Sequence, residues 1–230
     1  MKIYLFTASL LLSGIGLHAQ KFKFGIKAAL GRTELETVFA DRPDLNFESK
    51  GRLGMRVSGF AEYFVTGKWA LQAEIAPSLL GGKFIYDEDG KEMINKIRLQ
   101  TLNFPMMLKF YPVQKLNIHA GADFGFLIEA GGVSRNVDHG LFLAGDLFQD
   151  LFSGKTDLKD HIRTFSVNPF VGVEYNLNNG LFADARYTFG VYDMAKSSKG
   201  QGFESLKNSH LLIGIGYKFK KKYDLNTFNS

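Results

Sequence analysis

His210–Lys220 reads HLLIGIGYKFK, and its alternation decides the fold. Leu211, Ile213, Ile215, Tyr217 and Phe219 share one parity, while Gly214, Gly216 and Lys218 share the other. Side chains on a strand point to opposite faces in turn, so this segment has one apolar face and one small or polar face. No long segment follows to cover the apolar face. The reading adopted is that lipid covers it and that the rest of the chain closes a barrel with this strand.

Seven earlier segments repeat the pattern. In order, they set Phe22, Phe24, Ile26, Ala28 and Leu30 against Lys23, Gly25 and Lys27, then Met55, Val57 and Tyr63 against Arg56, Phe60 and Glu62. Trp69, Leu71, Ile75 and Leu79 oppose Gln72, Glu74 and Ser78, with Pro77 marking a bulge or irregular pairing, since it has no N–H to donate. Leu102, Phe104, Met106 and Leu108 oppose Asn103 and Lys109. Leu116, Ile118, Phe124, Phe126 and Ile128 oppose His119, Asp123 and Glu129. Phe165, Val171, Val173 and Tyr175 oppose Asn168 and Glu174, and Leu181, Ala183, Tyr187 and Phe189 oppose Asp184 and Arg186.

The connections alternate in length. Residues 65–68, 112–115 and 176–180 are short, whereas 31–53, 81–96, 132–162 and 193–209 are long. This spacing predicts an all-β, eight-stranded antiparallel up-and-down transmembrane β-barrel with short periplasmic turns and long external loops. Phe22, Tyr63, Trp69, Phe110, Tyr175, Tyr217 and Phe219 fall at the short-turn end, where an interfacial girdle belongs. A soluble eight-stranded barrel would instead bury its apolar parity inside.

The other parity supports the same choice. It carries Lys23, Lys27, Arg56, Lys109, Arg186 and Lys218, with Glu62, Glu74, Asp123, Glu129, Glu174 and Asp184. An unpaired buried charge costs several kcal/mol, so this set cannot line a dry apolar core. It suits a lumen in which the charges pair, and eight strands leave only enough interior for side chains to fill. A cross-linked plug is expected rather than an open channel.

Composition bounds the remainder. The 230 residues suit one domain, and the absence of Cys excludes a disulfide scaffold or a thiolate metal site. Residues 1–19 read as a signal peptide: Lys2 precedes the apolar run Ile3–Leu17, and cleavage is expected after Ala19. Residues 20–219 then form the barrel, and residues 220–230 a basic periplasmic tail whose Lys220, Lys221 and Lys222 could meet anionic headgroups. The net charge of +5 is spread over loops of mixed sign, which argues against a nucleic-acid partner.

Several blocks occur in order: Phe24–Lys27, Gly59–Glu62, Ala70–Glu74, Leu102–Tyr111, Gly180–Tyr187 and Gly214–Phe219. Together they resemble the PorT-type outer-membrane β-barrel proteins of Bacteroidetes. The resemblance implies an eight-stranded barrel in the outer membrane of a Gram-negative cell, exported as a precursor and inserted by the barrel-assembly machinery. The members that give the family its name serve a protein secretion complex, and the family offers no catalytic motif to transfer. Tyr217 and Phe219 look like the aromatic-ended signal by which such barrels are recognised for assembly, although the chain continues past Phe219.

No enzyme chemistry, cofactor or metal is expected. Asp87-Glu88-Asp89-Gly90 lacks the later ligands of a calcium loop. A rim-active acyl-transfer enzyme would need His139 or His161 gathered with Ser134 and Asp138, and nearness in sequence is not a triad. Leu143, Leu147 and Leu151 recur every four residues and predict a short helix over 143–152, either packed over the barrel mouth or docking a partner. Three functions stand: an interaction barrel contacting envelope partners through loops 31–53 and 132–162, an accessory subunit of a secretion complex, and a rim-active enzyme.

Overall fold

The computed structural model describes residues 22–39, 48–88, 91–136, 156–157, 159–196 and 203–219. Eight long strands dominate: β1 (Phe22–Phe39), β2 (Arg52–Phe64), β3 (Trp69–Glu88), β4 (Lys91–Val113), β5 (Leu116–Asn136), β6 (Phe165–Asn176), β7 (Leu181–Thr188) and β8 (Phe203–Lys218). Each pairs antiparallel with its neighbours in sequence, and β8 returns to β1 through Gly25↔Lys218 to Thr37↔Leu206, so the sheet closes. Closure leaves no unpaired edge for lipid to meet. Two short strands, Glu48–Lys50 and Thr156–Asp157, add to β3 and β5 at the end opposite the tight turns. Among the described residues no helix is long and apolar enough to cross a membrane.

Parity sorts the side chains. Ile26 (55% exposed), Ile75 (59%), Ile118 (52%) and Ile215 (71%) face outward, whereas Lys109 and Glu62 are wholly buried inside. That inversion of the usual globular pattern is what a lipid solvent selects. Aromatic pairs ring the short-turn end: Phe22 with Tyr63 (centroids 4.8 Å apart), Trp69 with Phe110 (4.7 Å) and Tyr217 with Phe219 (5.7 Å). A second outward group, Phe104, Phe126 and Phe165, marks the other end. From Phe165 to Tyr175 along β6 is ten residues, about 33 Å of strand, which at the usual barrel tilt spans about 25 Å of membrane.

The strands run beyond this band. Much of 31–53, 81–96, 132–162 and 193–209 was expected as loop, yet β1 extends to Phe39, β3 and β4 pair out to Glu88↔Lys91, β5 reaches Asn136 and β8 starts at Phe203. Above the lipid the wall no longer has one solvent on each face, so strict alternation fades while backbone pairing continues. Pro77 does not produce a bulge against β2. The ladder breaks between Arg56↔Ser78 and Gly59↔Ile75 and resumes in the same register. Pro105 opens a similar gap between Ala73↔Met106 and Ala76↔Asn103.

The signal segment 1–19, the tail 220–230, the expected helix 143–152, the tip Asp89-Gly90 and the residues Asp138 and His139 lie outside the described residues.

Candidate functional site

The candidate site is the lumen, which has three polar tiers and an apolar cap. At the short-turn end, two lysines and two glutamates form a square. Lys109 Nζ lies 2.7 Å from Glu174 Oε2 and 3.5 Å from Glu62 Oε1, and Lys218 Nζ lies 2.6 Å from Glu174 Oε1 and 3.0 Å from Glu62 Oε2. The Tyr111 hydroxyl donates to Glu62, and Asn117 Nδ2 donates to Glu174 Oε1 at 2.9 Å. β2, β4, β6 and β8 each supply one corner. Phe60 and Phe182 pack edge-to-face nearby, 5.7 Å apart, and occupy the space that Gly25 and Gly216 leave open. A Cβ on Gly25 would come within 2.3 Å of the Phe60 ring, and one on Gly216 within 2.2 Å of the Phe182 ring.

The middle tier joins Lys27, Glu74, Asp184 and Arg186. Lys27 Nζ lies 2.9 Å from Asp184 and 3.2 Å from Glu74, while Arg186 Nη2 donates to Glu74 at 2.9 Å. Gln72 adds a 2.8 Å bond to Glu74, and His119 Nε2 lies 3.5 Å from Asp184 Oδ2. Above it, Arg56 Nη2 reaches Asp123 at 2.7 Å, and Arg56 Nε donates to Ser78 at 2.8 Å. Asn103 donates to Asp123 at 3.0 Å, and His210 Nε2 lies 3.4 Å from Arg56 Nη2.

Ten of the twelve expected lumen charges therefore meet: Lys27, Arg56, Lys109, Arg186 and Lys218 against Glu62, Glu74, Asp123, Glu174 and Asp184. Five charges of each sign balance within the lumen. Low local dielectric makes such contacts strong when complete and costly when one member is missing.

The other two expected positions need correction. Lys23 keeps its inward parity, directly opposite Glu62, but lies one row from the end of the β1–β2 ladder, exposed at the mouth with its ammonium 4.5 Å from the Phe64 ring centroid. Glu129 is displaced by a bulge. Gln100 pairs with Glu129 but Thr101 pairs with Leu127, so Ile128 is an extra residue and parity inverts beyond it. Leu127 and Ala130 then point in, and Glu129, with its side chain 45% exposed, reaches Arg98 at 3.6 Å and Gln100 at 2.9 Å at the rim. Tyr217 packs beside Phe219, whose N–H donates to the Phe24 carbonyl at 2.8 Å, so both aromatics sit on the closing seam.

The cap went unread in the sequence. Leu35, Phe84, Ile97, Leu99, Leu127, Ala130 and Leu206 from the wall enclose Ile162, Met194 and Ala195 from the two external connections. Those connections are tied by the Ile162↔Ala195 bridge and by Arg163 N–H to the Met194 carbonyl at 2.7 Å. Asp193 Oδ1 accepts from the N–H groups of Ala195 and Leu206, both at 2.9 Å. Partial burial alone would raise the Asp193 carboxyl, and these backbone bonds outweigh it, holding the group below its ordinary value. Ile162, Met194 and Ala195 lie in irregular chain, where no periodicity announces burial.

Chemically, the lumen groups are engaged with one another. Among the described residues no cluster of three His, Asp or Glu side chains is arranged to hold a metal. His161 lies in the short 3₁₀ turn Lys159–His161, and its carbonyl accepts the Lys196 N–H at 2.9 Å.

A closed, eight-stranded meander with an apolar outer wall, aromatic pairs at its ends and charges inside is the architecture of an outer-membrane barrel. The family model for the outer membrane protein beta-barrel domain matches residues 14–196, and the chain belongs to that family. No curated protein matches it. Solved structures with similar folds include Ail, the attachment invasion locus protein of Yersinia pestis, in complex with the heparin analogue sucrose octasulfate. That match has 14% identity and a TM-score of 0.46, covering 86% of this chain and 99% of that one. Neisserial surface protein A matches at 12% identity and TM-score 0.48, covering 85% and 97%. OprG of Pseudomonas aeruginosa matches at 14% and 0.39, covering 87% and 95%.

Proposed function

We propose that this outer-membrane barrel is a closed structural and interaction module, neither a channel nor an enzyme, which meets envelope partners through its external segments 31–53 and 132–162. The observation that carries the reading is the filled lumen: five cations paired with five anions, sealed above by the apolar cap. A pore that passes ions needs a continuous wet path, and interlocked side chains across the barrel leave none. Conductance in planar bilayers tests this. Brief, rare openings or silence are expected, and a large stable pore would overturn it.

Export with cleavage after Ala19 and insertion by the barrel-assembly machinery belong to the same proposal. N-terminal sequencing of the mature chain checks the cleavage. A second reading, accessory subunit of a secretion complex, is favoured by the ordered blocks that resemble PorT-type barrels. Deleting the gene and comparing secreted proteins separates the two, since unchanged export removes the second. Replacing His139 and His161 with Ala should leave the lipid profile unaltered, whereas a changed profile would restore the rim-enzyme reading.

A further inference from the structure

The short turns differ in charge from the opposite end of the barrel. Residues 65–68, 112–115 and 176–180 contain no Asp or Glu, and each turn exposes an apolar side chain, Val65, Val113 and Leu177. The first two turns also carry an exposed lysine, Lys68 and Lys115. Lys23 is a third cation at this mouth. The nearby carboxylates of Glu62 and Glu174 are buried and already met by Lys109 and Lys218. Among the described residues, the exposed charge at this end is therefore of one sign. The external end is mixed, with Arg32, Arg163 and Lys196 exposed alongside Glu36 and Asp160.

Backbone bonds hold both lysine positions at the aromatic girdle. The Tyr111 N–H donates to the Lys68 carbonyl at 2.8 Å, and the Asn176 N–H donates to the Lys115 carbonyl at 2.6 Å. Trp69, next in sequence to Lys68, packs on Phe110 at 4.7 Å between centroids. Leu116, next to Lys115, pairs with Val113. Interfacial aromatics mark the level at which hydrocarbon gives way to headgroups. One residue of strand advances about 3 Å and a headgroup layer is about 5–7 Å deep, so both lysines stand within that layer. An apolar stem ending in a charge suits this boundary, and Val65 and Val113 share it.

Position and charge together name the occupant. We infer that Lys68 and Lys115 form a binding site for the phosphate of an anionic phospholipid in the leaflet on the short-turn side, with Lys23 adding to the local field. Their strands, β3 and β5, flank β4, so the two backbones lie about 10 Å apart, and stems of about 6 Å let both ammoniums reach one phosphate. The ammoniums act as point charges on its oxygens. A face of one sign also repels the ammonium of a zwitterionic headgroup, which selects lipids of net negative charge. The site lies at the end opposite segments 31–53 and 132–162, so it goes beyond the proposed function and survives its failure.

Trp69, the sole tryptophan, is the local reporter for the test. The full chain is placed in phosphatidylcholine vesicles containing phosphatidylglycerol, with brominated acyl chains on one lipid or the other, and quenching of Trp69 fluorescence is read. Bromine quenches only at near contact, so the signal comes from the leaflet beside Lys68. Phosphatidylglycerol should be enriched there by about fivefold or more over its share of the bilayer, given the usual contribution of a lysine near an anionic surface. K68Q/K115Q should abolish the enrichment, whereas K68R/K115R should keep it, as should Lys196→Gln at the external end. The arginine double shows that a loss follows charge and not folding. The glutamine double retains Lys220, Lys221 and Lys222, so enrichment that survives in it would credit the tail and overturn the assignment. Wild-type enrichment below about fivefold, its loss in K68R/K115R or K196Q, or its reversal by equimolar inorganic phosphate would overturn it as well.

Discussion

Glu174→Gln is the most informative single change. Its carboxylate takes Lys109 on one oxygen at 2.7 Å and Lys218 on the other at 2.6 Å, with Asn117 as a third donor. Glutamine keeps the shape and one acceptor but removes the charge, leaving two ammoniums facing Glu62 alone. Breaking a buried pair from one side costs about 3–5 kcal/mol, because the remaining charge stays desolvated and uncompensated. With an m-value of about 2 kcal/mol/M, a loss of about 4 kcal/mol moves the urea midpoint down by about 2 M. Trp69, the sole tryptophan, lies in the short-turn girdle and reports unfolding by fluorescence in lipid vesicles. Lys109→Met alone should cost a similar amount, since it leaves Glu62 and Glu174 sharing Lys218. The double variant restores charge balance and should be more stable than either single one, with a coupling of at least about 2 kcal/mol. A loss below about 1 kcal/mol in E174Q, the scale of an exposed salt bridge, would refute the idea that a desolvated network holds this lumen.

Ile213→Arg puts a cation on the lipid face of β8, four residues inside the Tyr217 girdle, where Ile213 is 62% exposed, and should cost about 2–4 kcal/mol in the same vesicle assay. Asp193→Ala should lower hydrogen-exchange protection at the Leu206 and Ala195 amides about tenfold, since both bonds to its carboxylate vanish. The same contact sets a pH response. Because the folded carboxyl lies below its ordinary 3.8, its contribution is present above that value and fades as pH falls through the lower folded value. Exchange at Leu206 should therefore stay slow down to pH 4 and quicken below it. Phe219→Ala should slow insertion into membranes by removing an aromatic from the closing seam, while truncation from Tyr223 onward should leave insertion intact.

Strand parity was legible because lipid outside and charge inside give opposite penalties for the same residue, and Ile213, Ile215 and Lys218 obey both. What sequence could not supply was register. Parity places Lys27 inward but does not choose Asp184 and Glu74 as its neighbours, since the stagger between distant strands decides which heights coincide. Glu129 was misplaced because Ile128 occupies a bulge, and one extra residue inverts every later side chain. Tyr111, read only within a family-like block, donates its phenol to Glu62 from just past the expected strand end. The cap depended on Ile162, Met194 and Ala195 folding back from irregular segments, a tertiary event with no local period.

The lumen pairs also constrain how the wall can be built. Lys27 on β1 meets Asp184 on β7, and Arg56 on β2 meets Asp123 on β5. Between neighbouring strands the lumen pairs contribute little; Lys109, Glu62, Glu174 and Lys218 come from four alternate strands. A hairpin entering the bilayer by itself would carry ammoniums and carboxylates whose counter-ions are still outside. The hydrocarbon core charges several kcal/mol for each such group, so partial insertion is penalised until the full circle assembles. The interior ion pairs thus act as a condition on the order of events, favouring closure of β8 on β1 together with membrane entry over strand-by-strand addition.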